Sequence, residues 1–298
     1  MTPRNAEEGV VLVTGATGFL GRHIVRALES SGTTVVALVR RESDADRLTR
    51  VMTHPVLWTA ADAEKRFAET RVEAVIHTAT SYGRRGETRE EIWATNVQLP
   101  LSLLDCASRH GTTRFVNIDT ALPDGLNAYV DSKRLFLAEA RSRRVGTALV
   151  NVRMQHIYGP GDEPSRFIPH LIRSFLRGVP EVPLTAGEQR RDFIHVDDAA
   201  RGVLTLLDAV GSLPAIPQAI DLGSGEALPL ADIVRMLRQL CGATTDLRFG
   251  ALAYRDGEPM ECRADLGFMT GLGWQPRVGL EQGLRETVES ERSLAGNG

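Results

Sequence analysis

The stretch Val10–Gly21, VVLVTGATGFLG, decides the fold of this chain. It begins as an apolar run of strand-forming residues and continues into a helical pattern, with Gly15, Gly18 and Gly21 three residues apart between them. Glycines at this spacing allow a tight turn, the close approach of a phosphate to the backbone, and close packing of helix on strand. The free amides at the start of that helix would then face a pyrophosphate. We therefore expect the contacts with a dinucleotide to come from Gly15, Thr17, Gly18, Phe19 and Leu20.

Further apolar runs alternate with helical patterns along the first half of the chain. This alternation predicts a Rossmann-type α/β fold, a doubly wound parallel sheet with helices on both faces and ligands at the carboxyl ends of the strands. Beyond Val152, prolines and glycines interrupt the rhythm, which predicts a smaller C-terminal substrate-binding lobe. We expect the first domain over 1–152, with a return near 190–225, and the lobe over 153–298. The predicted strands are Val10–Thr14, Thr34–Val39, Val56–Trp58, Glu73–Thr78, Arg114–Ile118 and Thr147–Val152, with Ala219–Leu222 as the return.

The composition argues against a nucleic-acid-binding, membrane or metal-binding protein. A net charge of −3 provides no basic surface for nucleic acid or for an anionic membrane. No run of 18 apolar residues is present, so no membrane span is expected. The three cysteines, Cys106, Cys241 and Cys262, are far apart and lack metal-ligand spacing. They favour a reduced, cytoplasmic protein with no metal site.

The end of the second predicted strand bears on the cofactor. An acidic residue at this place holds the ribose 2′-hydroxyl of NAD, whereas an arginine suits the 2′-phosphate of NADP. Arg40 and Arg41 stand here, and a guanidinium can also stack on adenine. NADP(H) is therefore favoured, while Glu42, the next residue, keeps NAD open as the alternative.

Small residues follow the fourth predicted strand. Thr78, Ala79 and Thr80 would let a cofactor lie against the backbone, so we assign them to the cofactor site. His77, within the strand, is interpreted as a packed core histidine rather than a catalyst. Asn96 is predicted to open the next helix as its N-cap.

The segment that follows the fifth strand carries the chemistry. Tyr129 and Lys133 lie one helical turn apart and share a helix face, and the chain has only two lysines. A free phenol has a pKa of about 10, and a neighbouring ammonium lowers it by favouring the phenolate. We expect Tyr129 to be the acid–base group and Lys133 to tune it and bind the nicotinamide ribose. Thr120, at the strand end, would hold the substrate oxygen, and both Tyr129 and Lys133 would contact the cofactor.

These motifs together resemble a known family. TGATGFLG, Thr120, Tyr129-x-x-x-Lys133 and the later RRDFIHVDD (190–198) are similar to extended short-chain dehydrogenases/reductases. More narrowly, they resemble the NAD(P)-dependent epimerase/dehydratase family that acts on nucleotide sugars, over Val10 to about Val288. The resemblance implies the three catalytic roles given above, a nucleotide-sugar substrate and a homodimer.

The second lobe carries further features of the resemblance. Arg191 matches the arginine that family members place on the substrate diphosphate, where a guanidinium can pair with two phosphate oxygens. Arg255 is a second candidate for the same task. His156 stands where members often have an asparagine, and it is either a donor to the sugar or a packed histidine.

Two departures from the family pattern narrow the reaction. The loop from Thr120 to Tyr129 is shorter than in most members, and Ala121-Leu122 follow Thr120 where sugar 4,6-dehydratases have Asp-Glu. The absence of that carboxylate pair disfavours dehydration. The pattern resembles 4-ketosugar reductases, which implies an NADPH-dependent reductase of a nucleotide-linked 4-keto-6-deoxy or 4-keto-3,6-dideoxy sugar. An NAD-dependent C4 epimerase with the same catalytic residues is the alternative, and a non-catalytic NADP-sensing regulator is a third reading.

Overall fold

The computed structural model describes residues 9–39, 48–49, 51–53, 55–143, 146–212 and 219–296. The chain divides into two compact units. One takes residues 1–153 and 200–220, and the other takes 154–199 and 221–298.

A seven-stranded sheet organises the first unit, in the order β10-β6-β5-β4-β1-β2-β3. The pairings of β1 with β2 and β4, of β2 with β3, and of β4 with β5 are parallel. Because sequential strands lie on both sides of β1, the chain reverses direction there, as in a doubly wound sheet. The strands are β1 Val10–Thr14, β2 Val35–Val39, β3 Val56–Thr59, β4 Val72–His77, β5 Arg114–Thr120, β6 Ala148–Met154 and β10 Ile220–Leu222.

The helices of this unit cover the sheet with apolar faces. In α1 (Phe19–Ser30) the buried residues recur at helical spacing, Leu20, Ile24 and Leu28 among them. The strands β1 and β2 are buried along their whole length, as expected for a sheet covered on both faces. The other helices are α2 Ala63–Glu69, α3 Arg89–Trp93, α4 Leu99–Arg109 and α5 Ala128–Ser142. The helix α7 (Val196–Ala209) begins in the second unit and belongs to the first from residue 200 onward.

The prediction that a helix begins at Asn96 is wrong. The observed N-cap is Thr88, eight residues earlier, and it forms a capping box with Glu91. Asn96 lies in a π-helical turn, Ala94–Gln98, between α3 and α4. Its amide accepts a hydrogen bond from Ser81 N and donates to Ser81 O, both at 2.8 Å, so it anchors the loop after β4 instead of capping a helix.

The second unit is built around β9 (Arg190–His195). This strand pairs with β7 (His156–Tyr158), β11 (Ala227–Pro229) and β13 (Glu261–Cys262). A separate two-stranded sheet joins β8 and β12. The remaining elements are β8 Glu181–Pro183, β12 Asp246–Arg248, α6 Phe167–Leu176, α8 Leu230–Cys241, α9 Gly267–Gly271 and α10 Leu280–Gly296.

The predicted fold class is confirmed: the central sheet is parallel and doubly wound, with flanking helices. The return of the chain falls at 200–220. Within the described ranges, no helix combines the length and apolar character that crossing a membrane requires.

Candidate active site

The glycine turn after β1 has the geometry that its sequence predicts. Gly15 has φ +67°, which an L side chain rarely adopts, and a Cβ there would lie 2.7 Å from Ala79 N. A Cβ on Gly21 would lie 2.1 Å from Gly15 O, because α1 packs directly on the turn. Gly18 N donates to Gly15 O at 2.8 Å and closes the turn. Gly15 and Gly21 therefore have a steric reason to lack a side chain, whereas a Cβ on Gly18 would make a tight contact of 3.1 Å with Gly15 O.

The start of α1 is open to an anion. Gly18 is its N-cap, without a capping side chain, and no acidic residue lies in the first turn. The free amides and the positive end of the helix dipole can therefore serve a phosphate group. Leu20 is buried, so only its backbone can face a ligand, while Phe19 is half-buried with the Arg22 guanidinium 5.2 Å from its ring centroid. Thr17 is half-buried within the turn.

The end of β4 closes the other side of this turn. Thr78 Oγ1 donates to Thr14 O at 2.7 Å, and Ala79 N donates to Thr14 Oγ1 at 3.1 Å. Thr80 follows as a half-buried residue. His77 is fully buried, with Nδ1 2.9 Å from Thr14 Oγ1, and burial holds its pKa well below the usual value. His77 is thus a neutral core histidine. Arg40 and Arg41, assigned to the cofactor phosphate, lie outside the described residues.

Tyr129 and Lys133 lie one turn apart on α5, whose N-cap Asn127 accepts from Val130 N at 3.1 Å. Lys133 is 1% exposed, and its Nζ donates to Ile118 O of β5 at 2.8 Å. Burial lowers the pKa of Lys133 from 10.5 to about 8, against an opposing effect of the Asp119 carboxylate. The lysine is therefore brought to the end of β5, two residues from Thr120.

The Tyr129 ring is half-buried and lies 4.9 Å, centroid to centroid, from the ring of Tyr82. Ser132 Oγ donates to Tyr129 O at 2.7 Å and accepts from Asn96 Nδ2 at 2.9 Å. The loop after β4 and the first turns of α5 are thereby joined through Asn96 and Ser132.

Thr120 is the last residue of β5, which extends two residues beyond the predicted strand. Its side chain is nearly buried, and Oγ1 accepts from Leu122 N at 3.2 Å. The hydroxyl hydrogen can then turn toward another acceptor. The structure thus places Thr120, Tyr129 and Lys133 on one strand end and the helix packed beside it; their catalytic roles stay predictions.

Next to Thr120 lies a charged pair, Asp119 and Arg134, that the sequence patterns did not predict. Asp119 is 2% exposed and accepts hydrogen bonds from Thr120 N, Arg134 Nη1 and Asn151 Nδ2 at 2.7 to 2.9 Å. Asn151 in turn accepts from Asn117 Nδ2 at 2.7 Å. The only sequence signal was the position of Asp119 at a strand end and of Arg134 next to Lys133.

In the second unit, Arg191 and Arg255 belong to one local arrangement. Arg191 lies on β9, is 5% exposed, donates from Nη1 to Arg190 O at 2.8 Å and pairs through Nη2 with the Glu258 carboxylate. Arg255 is exposed, and its carbonyl accepts from Glu258 N at 3.0 Å. A phosphate that binds Arg191 must therefore displace Glu258 or share the guanidinium with it.

His156, on β7 in the same unit, is a packed histidine. Its ring centroid lies 5.3 Å from that of Phe193. Burial lowers the pKa of His156 to about 4, and the nearby Arg191 and Arg166 lower it further. Its Nδ1 has no hydrogen-bond partner among the described residues. His156 is therefore neutral near pH 7, and a polar ligand atom could satisfy that nitrogen.

The RRDFIHVDD segment also carries two structural aspartates. Asp192 is fully buried and accepts from Ser224 N and Oγ, Gly225 N and Ala264 N, at 2.7 to 3.0 Å. Asp198 accepts from the backbone amides of residues 277 and 278, both at 2.8 Å. These carboxylates join distant loops to β9 and to the start of α7, so the motif organises this unit as well as presenting Arg191.

One group of metal-ligand side chains lies together in the part of the chain that the structure describes. The ligand atoms of Glu64, Cys106 and His110 are within 4.8 Å of one another, although the sequence spacing gave no such signal. The Arg109 guanidinium also binds Glu64 and is the main cause that lowers the pKa of this carboxyl to about 2. A metal cation bound here would find the Glu64 carboxylate already paired with the Arg109 guanidinium. We therefore interpret the group as an ion-pair cluster between α2 and α4.

Comparisons with known proteins agree with this geometry. The CDP-abequose synthase of Salmonella typhimurium is 31% identical, over 94% of this chain and 97% of its own. The dTDP-4-dehydro-6-deoxy-D-allose reductase of Streptomyces bikiniensis is 29% identical, over 93% and 94% of the two chains. A solved structure of UDP-glucuronic acid 4-epimerase from Bacillus cereus, with UDP-glucuronic acid and NAD, has a TM-score of 0.81, with 23% identity over 95% of this chain and 99% of that one.

A family model covers most of the chain. The NAD dependent epimerase/dehydratase family matches residues 11–223, from the glycine turn through the Tyr129–Lys133 pair to the return of the chain to the sheet. Since both the motifs and the fold that positions them are present, this chain belongs to the NAD dependent epimerase/dehydratase family of extended short-chain dehydrogenases/reductases, enzymes that modify nucleotide sugars.

Proposed function

We propose that this enzyme reduces the 4-keto group of a nucleotide-linked 4-keto-6-deoxy or 4-keto-3,6-dideoxy sugar, with NADPH as the reductant. The observation that carries the proposal is the buried Lys133 ammonium held at the end of β5, one turn from Tyr129 and two residues from Thr120. This arrangement has a proton donor and a carbonyl ligand but no adjacent carboxylate pair, because Ala121 and Leu122 follow Thr120.

The residues of the first unit fit a nicotinamide dinucleotide. The Gly15 turn and the uncapped start of α1 leave backbone room and free amides for a pyrophosphate. Arg40 and Arg41, next in sequence after β2, are the candidates for the 2′-phosphate and favour NADP(H) over NAD. When bound, the reduced nicotinamide supplies the hydride that the sugar C4 accepts.

Tyr129 donates the proton that completes the reduction. As C4 gains a hydride, its carbonyl oxygen becomes an alkoxide and takes the proton of the Tyr129 hydroxyl; solvent then returns a proton to the phenolate. The Lys133 ammonium favours that phenolate, since a neighbouring positive charge lowers the pKa of a phenol. A positioned acid–base group of this kind contributes about 10²- to 10⁴-fold in rate.

Thr120 holds the substrate oxygen during this transfer. Its Oγ1 already accepts from Leu122 N, so its hydrogen is the group it can offer to a carbonyl or alkoxide oxygen. A dehydratase would also need a carboxylate pair to remove a proton and expel water, and the two side chains after Thr120 are apolar.

The relatives direct the choice of substrate. A CDP-linked deoxysugar is the first candidate, because the most extensive similarity reported above is to CDP-abequose synthase; a dTDP-linked 4-dehydro-6-deoxy sugar is the next. Arg191 and Arg255 would bind the diphosphate, with Glu258 as the carboxylate that the phosphate displaces.

The test follows the absorbance of NADPH and of NADH with a panel of CDP- and dTDP-linked 4-keto-6-deoxy sugars. We expect NADPH consumption well ahead of NADH consumption. Tyr129→Phe should lower kcat by about 10²- to 10⁴-fold. The matched control Tyr82→Phe removes a hydroxyl from the neighbouring ring, and it should change kcat by less than tenfold. A fully active Tyr129→Phe would exclude the proposed proton donor.

The fold likeness to a UDP-glucuronic acid 4-epimerase favours a C4 epimerase as the second candidate. A protein that releases bound NAD on denaturation and interconverts sugars without added reductant would support the epimerase. Cofactor binding by calorimetry without turnover of any ketosugar would support a non-catalytic regulator.

A homodimer in the cytoplasm is part of the leading proposal, and light scattering of the purified protein tests its oligomeric state.

A further inference from the structure

The side chain of Arg134 makes an unusual set of hydrogen bonds at the end of β5. All three guanidinium nitrogens donate to the short segment 119–124. Nη1 donates to both carboxylate oxygens of Asp119 at 2.8 and 2.9 Å, Nη2 donates to Leu122 O at 2.8 Å and Thr120 O at 3.3 Å, and Nε donates to Asp124 Oδ1 at 2.5 Å. This one residue of α5 therefore fixes the backbone on both sides of the Thr120 hydroxyl.

The carboxylate at the centre of this set is held from below. Asp119 is almost fully buried and is bound by the Asn151 amide, which is bound in turn by Asn117. A buried ion pair adds little to stability, since the desolvation of both charges offsets their attraction. Its value lies in fixing geometry, because each partner has hydrogen bonds in several fixed directions.

We propose that Arg134 is a positioning residue that, paired with Asp119, holds the segment 119–124 so that the Thr120 hydroxyl stays where the substrate oxygen binds. This inference rests on the proposed role of Thr120. Arg134 itself touches neither substrate nor cofactor in this proposal. Lysine can replace it only in part, because one ammonium cannot donate to a carboxylate and two carbonyls in the plane of a guanidinium fork.

The first experiment is a double-mutant cycle of Arg134→Gln with Thr120→Ala, measured as kcat and KM for the ketosugar. A misplacement of about 1 Å at a reacting group can lower the rate by about 10²-fold, so we expect Arg134→Gln to lower kcat by about 10- to 100-fold. If Arg134 acts through Thr120, the double variant should be within about threefold of Thr120→Ala alone. A fully additive loss would overturn the proposal.

Two variants separate positioning from a general loss of structure. Arg235→Gln is the control, with the same substitution at an exposed helix arginine of the second unit that pairs with Asp232, and it should leave kcat within about twofold of wild type. The cofactor Kd of Arg134→Gln should also be unchanged, because the glycine turn lies outside segment 119–124. A parallel loss of cofactor binding and kcat would show a structural role. If Arg134→Gln does not fold, Arg134→Lys takes its place, with a smaller loss of kcat and the same non-additivity expected.

The second experiment does not depend on the proposed function. Hydrogen exchange of the cofactor-bound protein, followed by mass spectrometry of peptides that cover 119–124, reports the order of this segment directly. Exchange in Arg134→Gln should be at least tenfold faster there than in wild type or Arg235→Gln. Unchanged exchange would overturn the positioning role even if no ketosugar is ever turned over. Faster exchange in an enzyme inactive on ketosugars would retain the positioning role and reject only the substrate.

Discussion

Replacing Lys133 with methionine should stabilise the cofactor-free protein at pH 6.5 while removing its activity. The ammonium is 1% exposed, and its hydrogen-bond partner among the described residues is a neutral carbonyl, Ile118 O. Burial lowers the pKa of Lys133 from 10.5 to about 8. At about 1.4 kcal/mol for each pKa unit, that shift corresponds to about 3 kcal/mol against the charged, folded form.

The sign of the effect depends on pH. Because the folded pKa of Lys133 lies below its unfolded pKa, the penalty is fully present below pH 8 and is relieved as the pH rises through 8 toward 10.5. It is about 3 kcal/mol at pH 6.5 and about 1 kcal/mol at pH 9.5. Lys133→Met removes the penalty but leaves Ile118 O without its donor, at a cost of about 1 kcal/mol. The variant should therefore be about 2 kcal/mol more stable at pH 6.5 and about equal to wild type at pH 9.5.

Urea unfolding of both proteins at the two pH values measures this difference. Lysine-selective ¹³C labelling gives a direct titration, since the chain has only two lysines and the side chain of Lys65 is 76% exposed. A stability gap of the same size at both pH values would refute the reasoning. So would a Lys133 resonance that titrates at the ordinary lysine pKa of about 10.4.

Three further predictions concern two glycines at close contacts, Gly15 and Gly283, and one buried carboxylate, Asp192. Gly15→Ala should abolish cofactor binding in a titration. It should also lower the free energy of unfolding by more than the ~1–2 kcal/mol that a positive φ alone costs a residue with a side chain. Gly32→Ala, with φ +81° and open space around its Cβ, is the control that measures the cost of φ alone. Gly283→Ala places a Cβ 2.4 Å from Tyr158 Oη and should lower the unfolding free energy by about 1–3 kcal/mol in urea. Asp192→Asn should have the largest effect of the three glycine and aspartate substitutions and should lower the unfolding free energy by about 3 kcal/mol or more, measured by urea or thermal unfolding. The reason is that a buried acceptor of four hydrogen bonds is replaced by an amide that must also donate.

Local signals made much of the fold and part of the site predictable. The glycine turn could be read because its steric demands fall within Val10–Gly21, and the structure shows a clash for a Cβ at Gly15 and at Gly21. The pair Tyr129 and Lys133 could be read because both lie on one helix face. The start of α3 was missed although its signal was local: Thr88 and Glu91 form a capping box, but the apolar stripe that begins at Val97 was taken as the start of the helix.

Contacts between distant residues could not be read in the same way. Asp119 and Arg134 are 15 positions apart, and Asp192 binds amides 32 to 72 positions away. Nothing in the local pattern distinguishes such a buried carboxylate from a solvated one. The RRDFIHVDD pattern consequently predicted a binding role for Arg191 but no role for its aspartates, although Asp192 and Asp198 hold that part of the second unit together.

The adjacent residues Lys133 and Arg134 show why the chemical type of each cation matters in this arginine-rich chain. They leave α5 about 100° apart, so one reaches Ile118 and the other the segment 119–124. The charge of Arg134 is balanced by that of Asp119. The guanidinium can therefore hold the segment 119–124 through its hydrogen bonds without placing a net positive charge beside the site. Lys133 Nζ donates to a neutral carbonyl, and the Asp119 carboxylate that favours its charged form is hydrogen-bonded to Arg134 instead. The Lys133 charge is therefore less completely balanced than that of Arg134, and such a charge favours a phenolate at Tyr129. Only a lysine can hold this place with a pKa near neutrality, because a guanidinium at the same depth remains charged at every accessible pH and demands a buried carboxylate of its own.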